Sequence, residues 1–283
     1  MFSGVNAPVA NALVWCGWNV VPVDILFSPQ HDLSAPTNQE YWKPAIRKAD
    51  AVLWAIACDT MTRSRDIPLP GHSKAPAPLR HEGAVRGVPN LASKDQSRVT
   101  QANKFIDFAW SEVGLAVKDR RAAVVENPAR SWLWRFQQAV EMHQHEEWQR
   151  RLYHACVHMG ARRKAQAIET NVPELAWIEG ECGHTHDPNE WDPSMSEDGT
   201  WYYPSSGEAE YTAQLAYNIA VALSWWAVRE RGYRLPMPKP IPAAAAGNRV
   251  GWDQVPARLT RQDIMAGMAT RAGLTAPEIS PGA

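Results

Sequence analysis

The chain has 283 residues, enough for one large domain or one domain with an extension. Its 45% hydrophobic and 21% charged content is that of a globular protein, and a formal net charge of −1 gives no whole-chain argument for a nucleic-acid partner. The four cysteines are too scattered for a disulfide scaffold, no apolar run reaches ~18 residues, and no signal-peptide pattern opens the chain; the expectation is a reduced, cytoplasmic protein with no membrane partner.

The stretch "NAPVANALVWCGW" carries a helical apolar face and ends near Gly17. "NVVPVD" reads as a short β-branched strand ending on Asp24, "EYWKPAIRKAD" as a short polar helix, and "AVLWAIAC" as an apolar strand ending on Cys58. Pro68, Pro70, Pro76, Pro78 and Pro89 then mark a long loop or lid. "SRVTQANKFIDFAWSEVG" sets Val99, Ala102, Ile106, Ala109 and Val113 on one helical face. The run "AAVVEN" is a strand that must stop at Pro128, which has no amide proton to donate, so Glu126 is left at its carboxyl end. "EEWQRRLYHACVHMG" reads as a helix and "AQAIETN" as a strand. "EAEYTAQLAYNIAVALSWWAVRERG" is an amphipathic helix with Tyr211, Leu215, Ile219, Leu223 and Trp226 in register. The expected organisation is a domain over 1–235 with a short acidic insert at about 172–207, then a Pro/Ala-rich linker and tail over 236–283. Alternating helices and strands imply an α/β fold with a mostly parallel sheet covered on both faces.

Charge is unevenly spread. Cys58 to Lys104 holds eight Lys/Arg against four Asp/Glu, and Lys118 to Lys164 holds ten against five. Ala165 to Glu210 holds eleven Asp/Glu and no Lys/Arg, a segment suited to a partner protein with a basic surface.

Three predicted strand ends carry polar residues: Asp24, Cys58 and Glu126. In a parallel sheet such ends share one edge, where open α/β sheets place their sites. A cysteine beside a carboxyl is the equipment for attack on an electron-poor ring carbon with proton handling next to it.

In motif order, roughly from Phe2 to Trp226, the chain resembles the DNA cytosine-5 methyltransferases, and more closely a compact, divergent branch of them. "FSGVNAP" is similar to the glycine-containing cofactor loop, "HDL" to the adenine-contacting motif, "ADAVLWAIACDTMTRSR" to the strand and loop that deliver the nucleophile, and "VENP" to the Glu-Asn motif. "HMGARRKAQAIETN" resembles the later arginine-containing strand entry, with Gln166 standing where the family has a second arginine. The resemblance implies a Rossmann-like class I methyltransferase fold, S-adenosylmethionine as cofactor and DNA as partner. It implies cofactor contacts at Phe2, Ser3, Gly4, Asp24, Asp32 and Leu33. For catalysis it implies Cys58 as nucleophile, Glu126 as the acid at the ring nitrogen, Asn127 as the residue holding the loop and Arg163 as the contact to the cytosine carbonyl. The base must leave any duplex to reach the thiolate, and Trp132 and Trp134 would wall its pocket. Two alternatives stand beside this: a catalytically inactive relative that binds cofactor, nucleic acid or protein, and a methyltransferase for RNA or free nucleotide.

"CGHTHDPNEW" is a second candidate segment, since Cys182, His184 and His186 are three zinc-competent side chains with Cys156 or His158 as a possible fourth. Zinc sites usually use wider, paired spacing, so the expectation is a polar turn and no metal.

Overall fold

The computed structural model describes residues 6–66, 77–187, 191–197, 201–202, 210–235 and 239–240. Helix α1 (Pro8–Trp15) starts with proline at its first turn, where no amide partner is needed. Helix α2 (Pro36–Lys48) leads into strand β1 (Ala51–Ala55). The long helix α3 (Ser93–Lys118) returns the chain to strand β2 (Ala122–Pro128). Helix α4 (Gln137–Met142), strand β3 (Gln149–His154) and strand β4 (Ala165–Thr170) follow, and helix α5 (Ala213–Arg231) closes the domain. A two-residue ladder, β5 (Ser194–Met195) with β6 (Trp201–Tyr202), stands apart.

The main sheet has the order β1-β2-β4-β3. β1 and β2 are parallel, with Ala55 opposite Glu126. β4 is antiparallel to both β2 and β3. Three strands therefore point one way and β4 alone is reversed. The expected parallel ladders are confined to one pair, because the tight return from β3 to β4 forces an antiparallel contact.

Strand alternation sorts the core into two layers. Val52, Trp54, Ala123 and Val125 face one cluster with Ile46, Ile106, Ala109 and Val113. Ala122, Val124 and Ile168 face the other with Val9, Ala12, Leu215, Ile219 and Leu223. Helices thus cover both faces, as the alternation of elements implies. Helix α5 is held at both ends: the Thr212 side chain caps Leu215 N, and Gly232 takes the left-handed conformation that ends it.

Two predicted elements differ. The segment "EEWQRRLYH" is not helical; its Gln149–His154 part is the edge strand β3. Its glutamine, arginines and leucine favour helix in isolation, and pairing with β4 overrides that preference. The segment "NVVPVD" forms no strand. Pro22 lacks a ladder donor, and a cavity of about 190 Å³ separates Val20–Val23 from β1. Val9, Leu13, Ile46, Leu53 and Tyr211 also line that cavity. Residues 241–283, the predicted tail, lie outside the described residues. Among the described residues no helix is long and apolar enough to cross a membrane.

Candidate functional site

Because β1 and β2 run in parallel, their carboxyl ends share an edge, and Cys58 lies three residues beyond the Ala55–Glu126 pair. Asn127 ties the two ends together: its Nδ2 donates to the Ile56 carbonyl at 2.6 Å, just before Cys58. The Cys58 carbonyl then accepts from Met61 N and Thr62 N at 2.9 and 2.7 Å, so the nucleophile candidate opens a tight turn. Two contacts hold this turn from outside. Trp132 N donates to Met61 O at 3.0 Å, and the buried Arg80 donates to Thr60 O at 3.0 Å and to Asn103 Oδ1 of α3 at 2.8 Å. Burial, with Arg86 nearby, pulls Arg80 down to about 10.

Glu126 follows the alternation onto the α1/α5 face of the sheet. Its Oε2 accepts from Tyr211 Oη at 2.9 Å, while Oε1 is buried with no hydrogen-bond partner among the described residues. Burial raises Glu126 to about 6, against the lowering influence of Lys164 and of the Tyr211 hydrogen bond. On the same face, Tyr153 of β3 pairs with Gln166 of β4, and Gln166 pairs with Pro128 beside Glu126. Tyr153 Oη and Gln166 Oε1 are likewise buried without partners among the described residues. Three orphaned polar atoms on one face of three neighbouring strands are what a buried site for a polar ligand looks like, since native interiors leave few such atoms unpaired.

Burial also raises the Cys58 thiol; Lys164 works against this, and Glu126 and then Asp59 add to it. In the free chain the surroundings thus disfavour the Cys58 thiolate. The cation that favours its thiolate is Lys164. Arg63 is engaged by Asp66 at 2.9 Å and lies over Trp132, 4.6 Å from the ring centroid. Asp59 is paired with Arg98 at 3.0 Å.

The remaining sequence-derived residues fall elsewhere. Arg163 acts electrostatically on His154 and Cys156, and Lys164 is the basic residue facing Cys58 and Glu126. Trp132 and Trp134 are buried in the core, where Trp134 Nε1 donates to Pro128 O at 2.9 Å; they are packing, not pocket walls. Asp24 is buried and caps Leu26 N through Oδ1 at 2.9 Å. Asp32 Oδ1 accepts from both Ser34 N and Ser34 Oγ, at 2.9 and 2.7 Å, and Leu33 is a core side chain. Phe2, Ser3 and Gly4 lie outside the described residues. Among the described residues, Asp24 and Asp32 each hold a turn and Leu33 packs in the core.

Sequence reasoning missed Tyr211, Tyr153 and Lys164 as members of this site. Lys164 sits beside Arg163 in a basic run, and only the start of β4 at Ala165 decides which of them turns inward. Tyr211 was read into the last helix, yet α5 begins two residues later, which leaves Tyr211 to reach Glu126. No protein-family model, no curated protein and no solved structure matches this chain.

Proposed function

We propose that the chain is a methyltransferase of Rossmann-like class I fold acting at C5 of cytosine in DNA through a Cys58 adduct. The observation that carries this reading is the buried Glu126 carboxyl with one open oxygen, set with Cys58 and Lys164 at the carboxyl edge of two parallel strands. Three co-directional strands covered by helices on both faces support the fold assignment.

The chemistry follows from how the groups are coupled. Ionised Glu126 raises the Cys58 thiol, so moving one proton from sulfur to the carboxyl creates nucleophile and acid together. Lys164 stabilises the thiolate through its charge. The thiolate adds to C6 of the base, and the electron pair moves into the ring toward N3, where protonated Glu126 donates a hydrogen bond. Asn127 keeps the Cys58 turn at its distance from Glu126. S-adenosylmethionine would supply the methyl group. A second reading, an inactive methyltransferase-like binding protein, is favoured by the raised pKa of the half-buried Cys58 thiol and by the engagement of Asp24 and Asp32.

The test is incubation of the chain with labelled cofactor and a panel of DNA, RNA and dCMP, together with trapping on 5-fluorocytosine DNA. The reading expects a covalent DNA complex that Cys58→Ala abolishes. Wild-type turnover in Cys58→Ala refutes the adduct, transfer to RNA or dCMP alone refutes DNA as substrate, and cofactor or DNA binding without any transfer selects the inactive reading.

A further inference from the structure

Beyond the candidate site, the fold gathers four metal-ligating side chains at the far end of β3. We infer that Cys156, Cys182, His184 and His186 form a structural zinc site. One ligand atom from each lies within 4.8 Å of all the others. Cys182 Sγ is 3.4 Å from His184 Nδ1 and 3.2 Å from His186 Nε2, and the two imidazole centroids are 4.4 Å apart. Neighbouring ligand atoms of a tetrahedral zinc site with these donors are about 3.3–3.8 Å apart, so the cluster needs only a small contraction to close on the ion.

The local backbone explains how so compact a spacing works. Cys182, His184 and His186 lie at alternate positions of one segment that bends at His184, and their ligand atoms converge. The fourth ligand comes from the turn that ends β3. That turn is tight: Gly160 N donates to Ala155 O at 2.9 Å, and a Cβ at Gly160 would meet the Ala155 carbonyl carbon at 2.8 Å. His154 Nδ1 accepts from Cys182 N at 3.0 Å and His154 N donates to Gly180 O at 3.0 Å, which set the two segments face to face. His158 lies outside this four-residue cluster, and its Nε2 donates to Ile178 O at 2.7 Å.

The donor set selects the metal. Two sulfurs and two imidazoles, with no carboxylate among them, suit zinc and not magnesium or calcium. Four protein ligands leave no open position, which defines a structural role. The ion would staple the Gly180–Asp187 segment to the end of β3. It would also steady the candidate site at one remove: Thr212 Oγ1 donates to the His158 carbonyl, and Tyr211 beside it donates to Glu126. The metal assignment itself does not rest on the proposed reaction.

The experiment uses the full chain purified without chelator. Elemental analysis is expected to give about one zinc per chain. After stripping, titration with cobalt(II) should produce the strong visible bands of a tetrahedral site and a thiolate-to-cobalt charge-transfer band. Cys156→Ser and Cys182→Ser should each weaken binding more than about 100-fold, while Cys58→Ser, outside the cluster, should leave the spectrum unchanged. Should either serine variant fail to fold, the charge-transfer band of the wild-type chain decides alone. Absence of zinc together with absence of the cobalt spectrum overturns the inference. So does full metal retention in the Cys156→Ser/Cys182→Ser double variant, or a Cys156–Cys182 disulfide in the freshly isolated protein.

Discussion

Glu126→Gln isolates the energetic consequence of burying this carboxyl. The folded chain holds Glu126 at about 6, raised by burial from an ordinary 4.5. That difference of about 1.5 pH units corresponds to about 2 kcal/mol. The sign follows from proton counting. Between pH 4.5 and 6 the unfolded chain releases this proton while the folded chain keeps it. The unfolded state therefore binds fewer protons, and folding stability falls as pH rises through that window. Below it both states are protonated, and above it both are ionised, so the loss is complete and constant. Glutamine keeps the shape and can still accept from Tyr211, but it has no proton to lose. Urea unfolding of both proteins at steps from about pH 4 to 8 gives the difference directly. The stability of Glu126→Gln relative to wild type should climb by about 2 kcal/mol across the window and stay level above it. If the proposed chemistry holds, kcat should fall by ~10² or more in the same variant. A relative stability that is flat with pH, or that declines, refutes the reasoning that Glu126 is a buried acid with a raised pKa.

Tyr211→Phe removes a hydrogen bond that favours the carboxylate, so the upper end of the window should move above about 6; a carboxyl-labelled NMR titration of Glu126 reads this, and an unchanged or lowered midpoint counts against the contact. Asn127→Ala cuts the tie to Ile56, and should cost about 1–3 kcal/mol in denaturant while speeding alkylation of Cys58. Arg47→Met leaves the fully buried Glu112 without its 2.7 Å partner, so the variant should unfold at lower denaturant concentration, and a second change, Glu112→Gln, should largely restore the midpoint.

The parts of the fold legible in the sequence are those with a strong period or a hard stop. Val99, Ile106, Ala109 and Val113 of α3 are all buried, and β2 ends where Pro128 requires. Two parallel strands with long apolar runs were enough to bring Cys58 and Glu126 to one edge. What was not legible depended on partners distant in the chain. Nothing local in "QRRLYH" announces an edge strand, because its exposed arginines and leucine are shared by helices; only β4 makes it one. The same limit hid the reversal of β4 and the choice of Lys164 over Arg163. Counting charge along the chain also misled. Of the eleven carboxylates between Ala165 and Glu210, Glu169 is fully buried against His143, Trp148 and Arg150, Glu174 is held by Arg229, and Glu179 reaches Arg151. Part of the apparent acidic surface is internal pairing. Cys156 meets Cys182 for a similar reason: twenty-five residues of chain separate them, and the return through β4 closes that gap.

The pairing of β1 has a consequence for how that strand exchanges with solvent. In the main sheet β1 pairs with β2, and Ala51, Val52 and Leu53 line the cavity together with Val20–Val23. In a parallel ladder successive residues direct their backbone groups to opposite sides. Amide protons along Ala51–Ala55 should therefore fall into two alternating populations within one five-residue strand. Those aimed at β2 will exchange with deuterium only when the sheet opens, whereas the protection of the others is set by contacts outside that ladder. A strand buried on both faces by helices would then report, at alternate positions, two different openings of the fold.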